Sequence, residues 1–277
     1  MFRYTKLTLM REIVLWIVAL VFLLPFYVLL TTAFKADGEV FSSSPLALPQ
    51  APTFAAFLQV LTAGDGAVLR GLASSVLITA ASIGGLVLLG SLTGYVIARR
   101  TGRWSRGVYY LFLVAILLPT QLGTVPLYIG ARTLGLTGTM WGMVILYTGM
   151  MLPLTIFLYA GFFRSLGTEY EEAATVDGAS RTQIFFRIVL PLMSSATGTV
   201  AILAGLIIWN DFFTSLIFLG GSDSQTLPVA MYYYIGSLIS KWNAIFAIVI
   251  VSMIPILAFY LFAQKQFITG YAGGLKG

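Results

Sequence analysis

The sequence predicts an all-α, polytopic membrane protein with six transmembrane helices and one polar helix-turn-helix loop between them. Three observations predict it. Hydrophobic residues make up 58% of the 277 and charged residues only 9%. A soluble domain holds roughly 45–50% apolar residues, so this chain has more apolar surface than a water-facing fold can bury. Six apolar stretches reach the length of about 20 residues that crosses a hydrocarbon core. Finally, Lys and Arg alternate between the intervening loops: 12 of the 16 fall in segments 1–12, 99–106, 164–191 and 264–277, and 4 in the others. By the positive-inside rule both termini face the cytoplasm.

The elements follow in order. Arg3, Lys6 and Arg11 precede an apolar run over 13–34. That run is too long for a signal-peptide core and no small-x-small site follows it, so it reads as an uncleaved first span. Segment 35–70, with "KADGEVFSSSPLALPQAPTF", reads as an irregular outer loop without a regular core of its own. The second span, 71–98, contains "ASIGGLVLLGSLTG", whose glycines predict close helix packing. The third, 107–130, is interrupted by Pro119 and Pro126 and is expected as a Pro-kinked span, with a broken or re-entrant segment as the alternative. Spans 141–163, 192–220 and 242–263 complete the set. Trp104, Trp141, Trp242 and the Tyr run of loop 221–241 fall near predicted ends, where interfacial aromatics sit. The whole chain is expected as a single transmembrane domain, with no internal repeat.

Composition also excludes chemistry. There is no Cys and no His, hence no disulfide framework, thiol nucleophile or His-containing zinc site. No metal site and no catalytic residue is expected. No G-x-x-x-x-G-K-[ST] phosphate loop occurs, since none of the five lysines follows a glycine. The net charge of +6 belongs to the loops of a membrane protein rather than to a nucleic-acid surface.

The loop 164–191 stands apart. "EYEEAATVDGASRTQIFFRIVLP" carries four of the ten acidic residues between two apolar stretches. Thr168 and Glu171 have capping-box spacing, so a short helix starts at Glu169. Asp177-Gly178 stops it, because Gly readily takes the left-handed conformation at a helix end. Ser180 and Gln183 repeat the capping-box spacing and start a second helix. Tyr170, Ala173, Ala174 and Asp177 share one face of the first helix, and Glu172 projects from another. Ile184, Phe185, Ile188 and Leu192 form an apolar stripe on the second. Acidic residues disfavour docking on a negatively charged leaflet, so a protein partner fits this loop better than lipid.

Glu172-Ala173-Ala174, Gly178, Ile188, Leu190 and Pro191 have the spacing EAA-x3-G-x9-I-x-L-P. This resembles the EAA loop of ABC-importer permeases at every defining position. "LLPTQLGTVPLY", "WNDFF" and "SMIPILAFYLFAQKQFITG" resemble the sugar-importer, maltose-permease-like branch. The resemblance implies a coupling helix seated on a cytoplasmic ATPase dimer, with Glu172 in the position that meets an arginine there and Gly178 supplying the turn. It implies that ATP and Mg bind the ATPase and that this chain holds no cofactor. It further implies a second, different permease subunit, an extracytoplasmic sugar-binding protein docking on loops 35–70 and 221–241, and a prokaryotic inner-membrane location. The tail "GYAGGLKG", with Lys276, resembles the family tail that reaches the ATPase. Lys241 stands where that branch has an acidic residue.

Asp211 is the one acidic residue well inside a predicted span, roughly 13 Å from the outer end of span five at 1.5 Å per residue. A charge there faces a cavity or a partner. Trp209, Asn210, Asp211 and Phe212 therefore either contact a sugar or shape a gate or subunit interface. An ion-coupled secondary transporter is the alternative function; it would need charged or polar groups through the core for ion coupling, and Asp211 is a lone acidic group.

Overall fold

The structure, a computed structural model, describes residues 5–62, 66–237 and 241–274. These residues form helices and no strand. The helices are α1 (Lys6–Ala33), α2 (Asp37–Ser42), α3 (Ala55–Thr62), α4 (Ala67–Arg99), α5 (Arg103–Leu117), α6 (Thr124–Thr133), α7 (Met140–Ser165), α8 (Glu169–Val176), α9 (Arg181–Ile184), α10 (Leu190–Leu192), α11 (Ser194–Asn210), α12 (Phe213–Leu219), α13 (Leu227–Ser237) and α14 (Trp242–Gly274). A π turn over Phe185–Val189 joins α9 to α10. Four helices, α1, α4, α7 and the 242–261 part of α14, are long and apolar enough to span a membrane alone, and two bent pairs raise the number to as many as six.

Two of the expected spans, 107–130 and 192–220, are not continuous helices. Span 107–130 is broken between α5 and α6, which meet at 95°. Pro119 lacks an amide hydrogen and disfavours a helical Leu118, which is indeed extended at ψ 126. Span 192–220 is interrupted once well inside its bounds, at Asp211. The helical run ending at Leu192 turns by 73° into α11 at Met193, and α11 ends at Asn210. Asp211 is extended, and α12 starts two residues later.

The chain divides into two compact units, 1–69 with 230–254, and 70–229 with 255–277. In the first, α1 exposes nearly its whole surface, as an apolar helix does when lipid or another subunit covers it. Segment 35–70 is more ordered than expected, and the reading of an irregular, coreless loop is corrected here. It carries α2 and α3, and Phe34, Phe54 and Phe57 pack edge and face with centroids 5.0–6.0 Å apart. Lys35 is buried and donates to Ser43 Oγ at 2.9 Å and to the Ser44 carbonyl at 2.8 Å. Asn243 donates from Nδ2 to the Lys35 carbonyl and to Asp37 Oδ1. Lys241, where an acidic residue was expected, lies 4.0 Å from Asp37.

In the second unit α7 is the central helix. Its buried side includes Met143, Tyr147, Ile156, Tyr159 and Phe163, and α5, α11 and α12 pack on it. Glycines bring α4 against it, as the sequence predicts. A Cβ on Gly94 would lie 2.7 Å from Tyr159 Cβ and 3.1 Å from the Ala160 amide nitrogen. Gly90 faces Thr155 in the same way, one turn earlier. In lipid no hydrophobic drive brings helices together, so this close backbone approach, with the dispersion contact it permits, sets the pair.

Gly94→Leu is therefore expected to destabilise the protein by about 1–3 kcal/mol through overpacking. Gly84→Ala, on the same helix with no atom within 4 Å of the new Cβ, is expected to be silent. Thermal unfolding of the two purified variants in detergent checks the contrast.

Candidate functional site

The polar loop begins where the sequence places it. α8 starts after Thr168 and ends at Asp177, and Gly178 has φ +81°. Gly178 N–H donates to the Thr175 carbonyl and Ala179 N–H to the Ala174 carbonyl, so the helix closes in a Schellman motif that needs the left-handed glycine. Ser180 and Gln183 form the expected capping box. Thr168 and Glu171 do not, and that expectation is corrected: Thr168 is helical rather than extended, and its hydroxyl donates to Glu172 Oε1 at 2.7 Å.

Glu171 is drawn elsewhere. Arg99, the last residue of α4, donates from Nε to Glu171 Oε1 at 2.8 Å, and its Nη2 lies 2.7 Å from the same oxygen. Tyr95 donates its hydroxyl to Glu171 Oε2 at 2.7 Å. Arg99 also donates to the carbonyls of Phe163 at 2.8 Å and Leu166 at 3.0 Å. One guanidinium thus satisfies carbonyls left over at the end of α7 and holds a carboxylate in the first turn of α8. The paired side chains are only 17% and 15% exposed. Below them Ala174 packs into a core with Phe163, Ile184, Phe185 and Val189.

The two alanines of the motif part company. Ala174 is buried and Ala173 exposed, together with Tyr170, Glu172 and Asp177. Val176 is 88% exposed, an apolar residue on the outer side of the loop. Of the second stripe Ile184 and Phe185 are buried, Ile188 is half-buried and Leu192 is exposed. Leu190 is half-buried and Pro191 exposed. Pro191 lacks the N–H that an α-helix would use at that point, and the wide π turn just before it absorbs the mismatch.

Sequence reasoning missed Tyr95, Arg99, Glu171 and Val176. A signal for Glu171 was present: it lies three residues before Ala174 and hence on the same helix face. Nothing local pointed to its partner, 72 positions away.

The second candidate, Trp209 to Phe212, lies at the break between α11 and α12. Tyr147 donates its hydroxyl to Asp211 Oδ2 at 2.7 Å. Its single proton is thereby committed, so Ser215 Oγ, 2.8 Å away, is the donor to the Tyr147 oxygen. Asp211 Oδ1 accepts from the Thr214 amide at 3.4 Å, which caps α12. Asn210 turns its amide back to the Leu206 carbonyl at 2.8 Å. Trp209 lines an apolar concavity with Ile83, Gly205, Ile256 and Phe259, where Thr79 offers the one side-chain hydroxyl. Lys276 lies outside the described residues, and among those no cluster of metal-ligating side chains occurs.

A multi-pass helical unit with an anchored, outward-facing acidic loop is the build of a transport permease, and the comparisons with known proteins agree. Residues 86–271 match the family described as "Binding-protein-dependent transport system inner membrane component". The chain is 36% identical over 264 residues to the melibiose/raffinose/stachyose import permease protein MelC of Bacillus subtilis, covering 94% of each. It is 31% identical to the AmyC permease of Thermoanaerobacterium thermosulfurigenes, a probable starch degradation products transport system, covering 93% of each. A crystal structure of a bacterial ABC transporter for alginate import contains a chain of the same fold, with TM-score 0.83 and 22% identity over 96% of this chain and all of that one. The chain belongs to the family of binding-protein-dependent transport system inner-membrane components. It is a multi-pass permease subunit of an ABC importer.

Removing one partner of the Arg99–Glu171 pair leaves the other charge without its mate in a largely buried place, a change that typically costs about 3–5 kcal/mol. Glu171→Gln is expected to loosen α8 locally. Hydrogen exchange of residues 169–184 should accelerate in this variant, with α7 unchanged before residue 160.

Proposed function

We propose that this subunit carries a carbohydrate across the membrane, driven by ATP hydrolysis on separate cytoplasmic ATPase subunits, and that α8 is the element through which their movement enters. One observation carries the reading: Glu171 ties α8 to Arg99 of α4, which also holds the end of α7, while Glu172, Ala173 and Val176 point away from the bundle. A helix held on one face and free on the other can receive a push and pass it on without melting. Glu172 is the residue assigned to meet a basic group of the ATPase, and Asp177-Gly178, with Ile188, Leu190 and Pro191, set the turn and the second helix. The chain itself is non-catalytic, with ATP and Mg held by the ATPase dimer. Its further partners are a different permease subunit and an extracytoplasmic binding protein, and the α8 end faces the cytoplasm.

The substrate class rests on the relatives, which import melibiose-type sugars and starch products. The alternative of an ion-coupled secondary transporter receives no support from them. Trp209 to Phe212 are assigned to gating rather than to sugar contact. The Asp211 carboxylate already accepts two hydrogen bonds, and the concavity beside Trp209 has too few polar groups for a hydroxylated ligand. Closing and opening would then work at the Asp211 break, where the backbone ladder of α11 ends.

Reconstitution with the ATPase, the second permease and the binding protein in proteoliposomes tests the whole reading through ATP-dependent sugar uptake. Glu172→Lys is expected to insert normally and to abolish stimulation of ATP hydrolysis by loaded binding protein. Wild-type coupling in that variant removes the role given to Glu172. Asp211→Asn is expected to slow uptake more than it reduces the amount of assembled complex. A loss confined to assembly would return Asp211 to a purely structural role.

A further inference from the structure

The end of α4, the short connection after it and the first turn of α5 carry Arg99, Arg100, Arg103 and Arg106 and no acidic residue. Arg99 is taken up by Glu171. Arg100, Arg103 and Arg106 make no ion pair with a described carboxylate. Two of them border a concavity of about 390 Å³ together with Arg164, Thr101 and Ser105. Arg164 arrives from the end of α7, with its guanidinium 4.4 Å from the centre of the Tyr109 ring. That cation–π contact holds the charge over α5. The first turn of α5 adds amide donors, because Gly102 at its N-cap has no side chain to satisfy them.

This polar concavity does not stand alone. A second one, of about 820 Å³, shares Arg100, Thr101 and Ser105 with it and continues over Leu92, Val96 and Val108 to Trp104. A third follows along α5, past Arg103, Trp104, Val108 and Leu111. Trp104, Val108 and Leu111 recur at helical spacing on one side of α5 and are 89%, 40% and 68% exposed. Cationic donors at the helix start thus lead into an apolar track that runs along a half-span. A soluble anion would use only the first part. The acidic face of a partner protein would leave the track uncovered.

We propose that this place binds an anionic phospholipid, with the phosphate-bearing headgroup among Arg100, Arg106 and Arg164 and an acyl chain along Trp104, Val108 and Leu111. Basic concavities between helix ends are a recurrent way of selecting anionic headgroups. The site joins α4, α5 and α7 at the end of the bundle that also holds Glu171, so its occupant braces the helices on which α8 is anchored.

Titration of the detergent-solubilised protein with short-chain phosphatidylglycerol, followed by the thermal unfolding midpoint, tests the assignment. Phosphatidylglycerol is expected to raise the midpoint, and phosphatidylcholine or inorganic phosphate at equal concentration to leave it unchanged. Arg106→Gln with Arg164→Gln is expected to weaken the phosphatidylglycerol effect about thirty-fold, and Arg132→Gln, away from the concavity, to preserve it. Should the double variant fail to accumulate, Arg100→Gln alone is expected to weaken it several-fold. An equal response to phosphatidylcholine, a response reproduced by phosphate alone, or an undiminished response in the Arg variants overturns the proposal.

Discussion

Arg99 closes three chain ends at once. It terminates α4, donates to the last carbonyls of α7 and pairs with a carboxylate in the first turn of α8. Each contact alone is ordinary. Together they convert a surface loop into a rigid continuation of the bundle, because a planar fork of five donors can satisfy several acceptors in fixed directions. A lysine would supply the charge and lose this geometry. Tyr95 completes the carboxylate's shell from the same helix, one turn earlier.

This anchorage gives the motif its division of labour. Neighbouring residues of α8 point in different directions by about 100° each. Glu171 and Ala174 therefore face the bundle, and Glu172, Ala173 and Val176 face away. A small residue is needed on the buried side so that the backbone can sit close to Phe163 and Phe185. The conformational demand at the end of the helix falls on Gly178, whose left-handed backbone closes the Schellman motif.

Interruptions elsewhere obey the same economy of backbone groups. Inside a membrane a helix breaks only where side chains take over from the missing ladder bonds. At Asp211 they do: its carboxylate caps α12 and receives Tyr147, which is itself held by Ser215. The acidic residue that reads from sequence as a substrate contact or gate is thereby part of the joint between two helices. The outer segment 35–70 shows a related departure. Its Ser and Pro content hides a small aromatic cluster and a buried Lys35 whose ammonium is met by a hydroxyl and a carbonyl.

Much of the architecture was legible by itself in the sequence. Apolar length locates the spans because the hydrocarbon core has a set thickness, and the loop's helices, turn and second capping box follow from rules acting over three or four residues. What only the tertiary structure decided depends on partners far apart along the chain. Glu171 turns inward because Arg99 waits 72 positions earlier, and the fifth span breaks where Tyr147 reaches Asp211 across 64 positions. The Thr168–Glu171 capping box fails for that reason. A local bond of about 1 kcal/mol was available, and a stronger charge-assisted one, supplied by packing, displaced it.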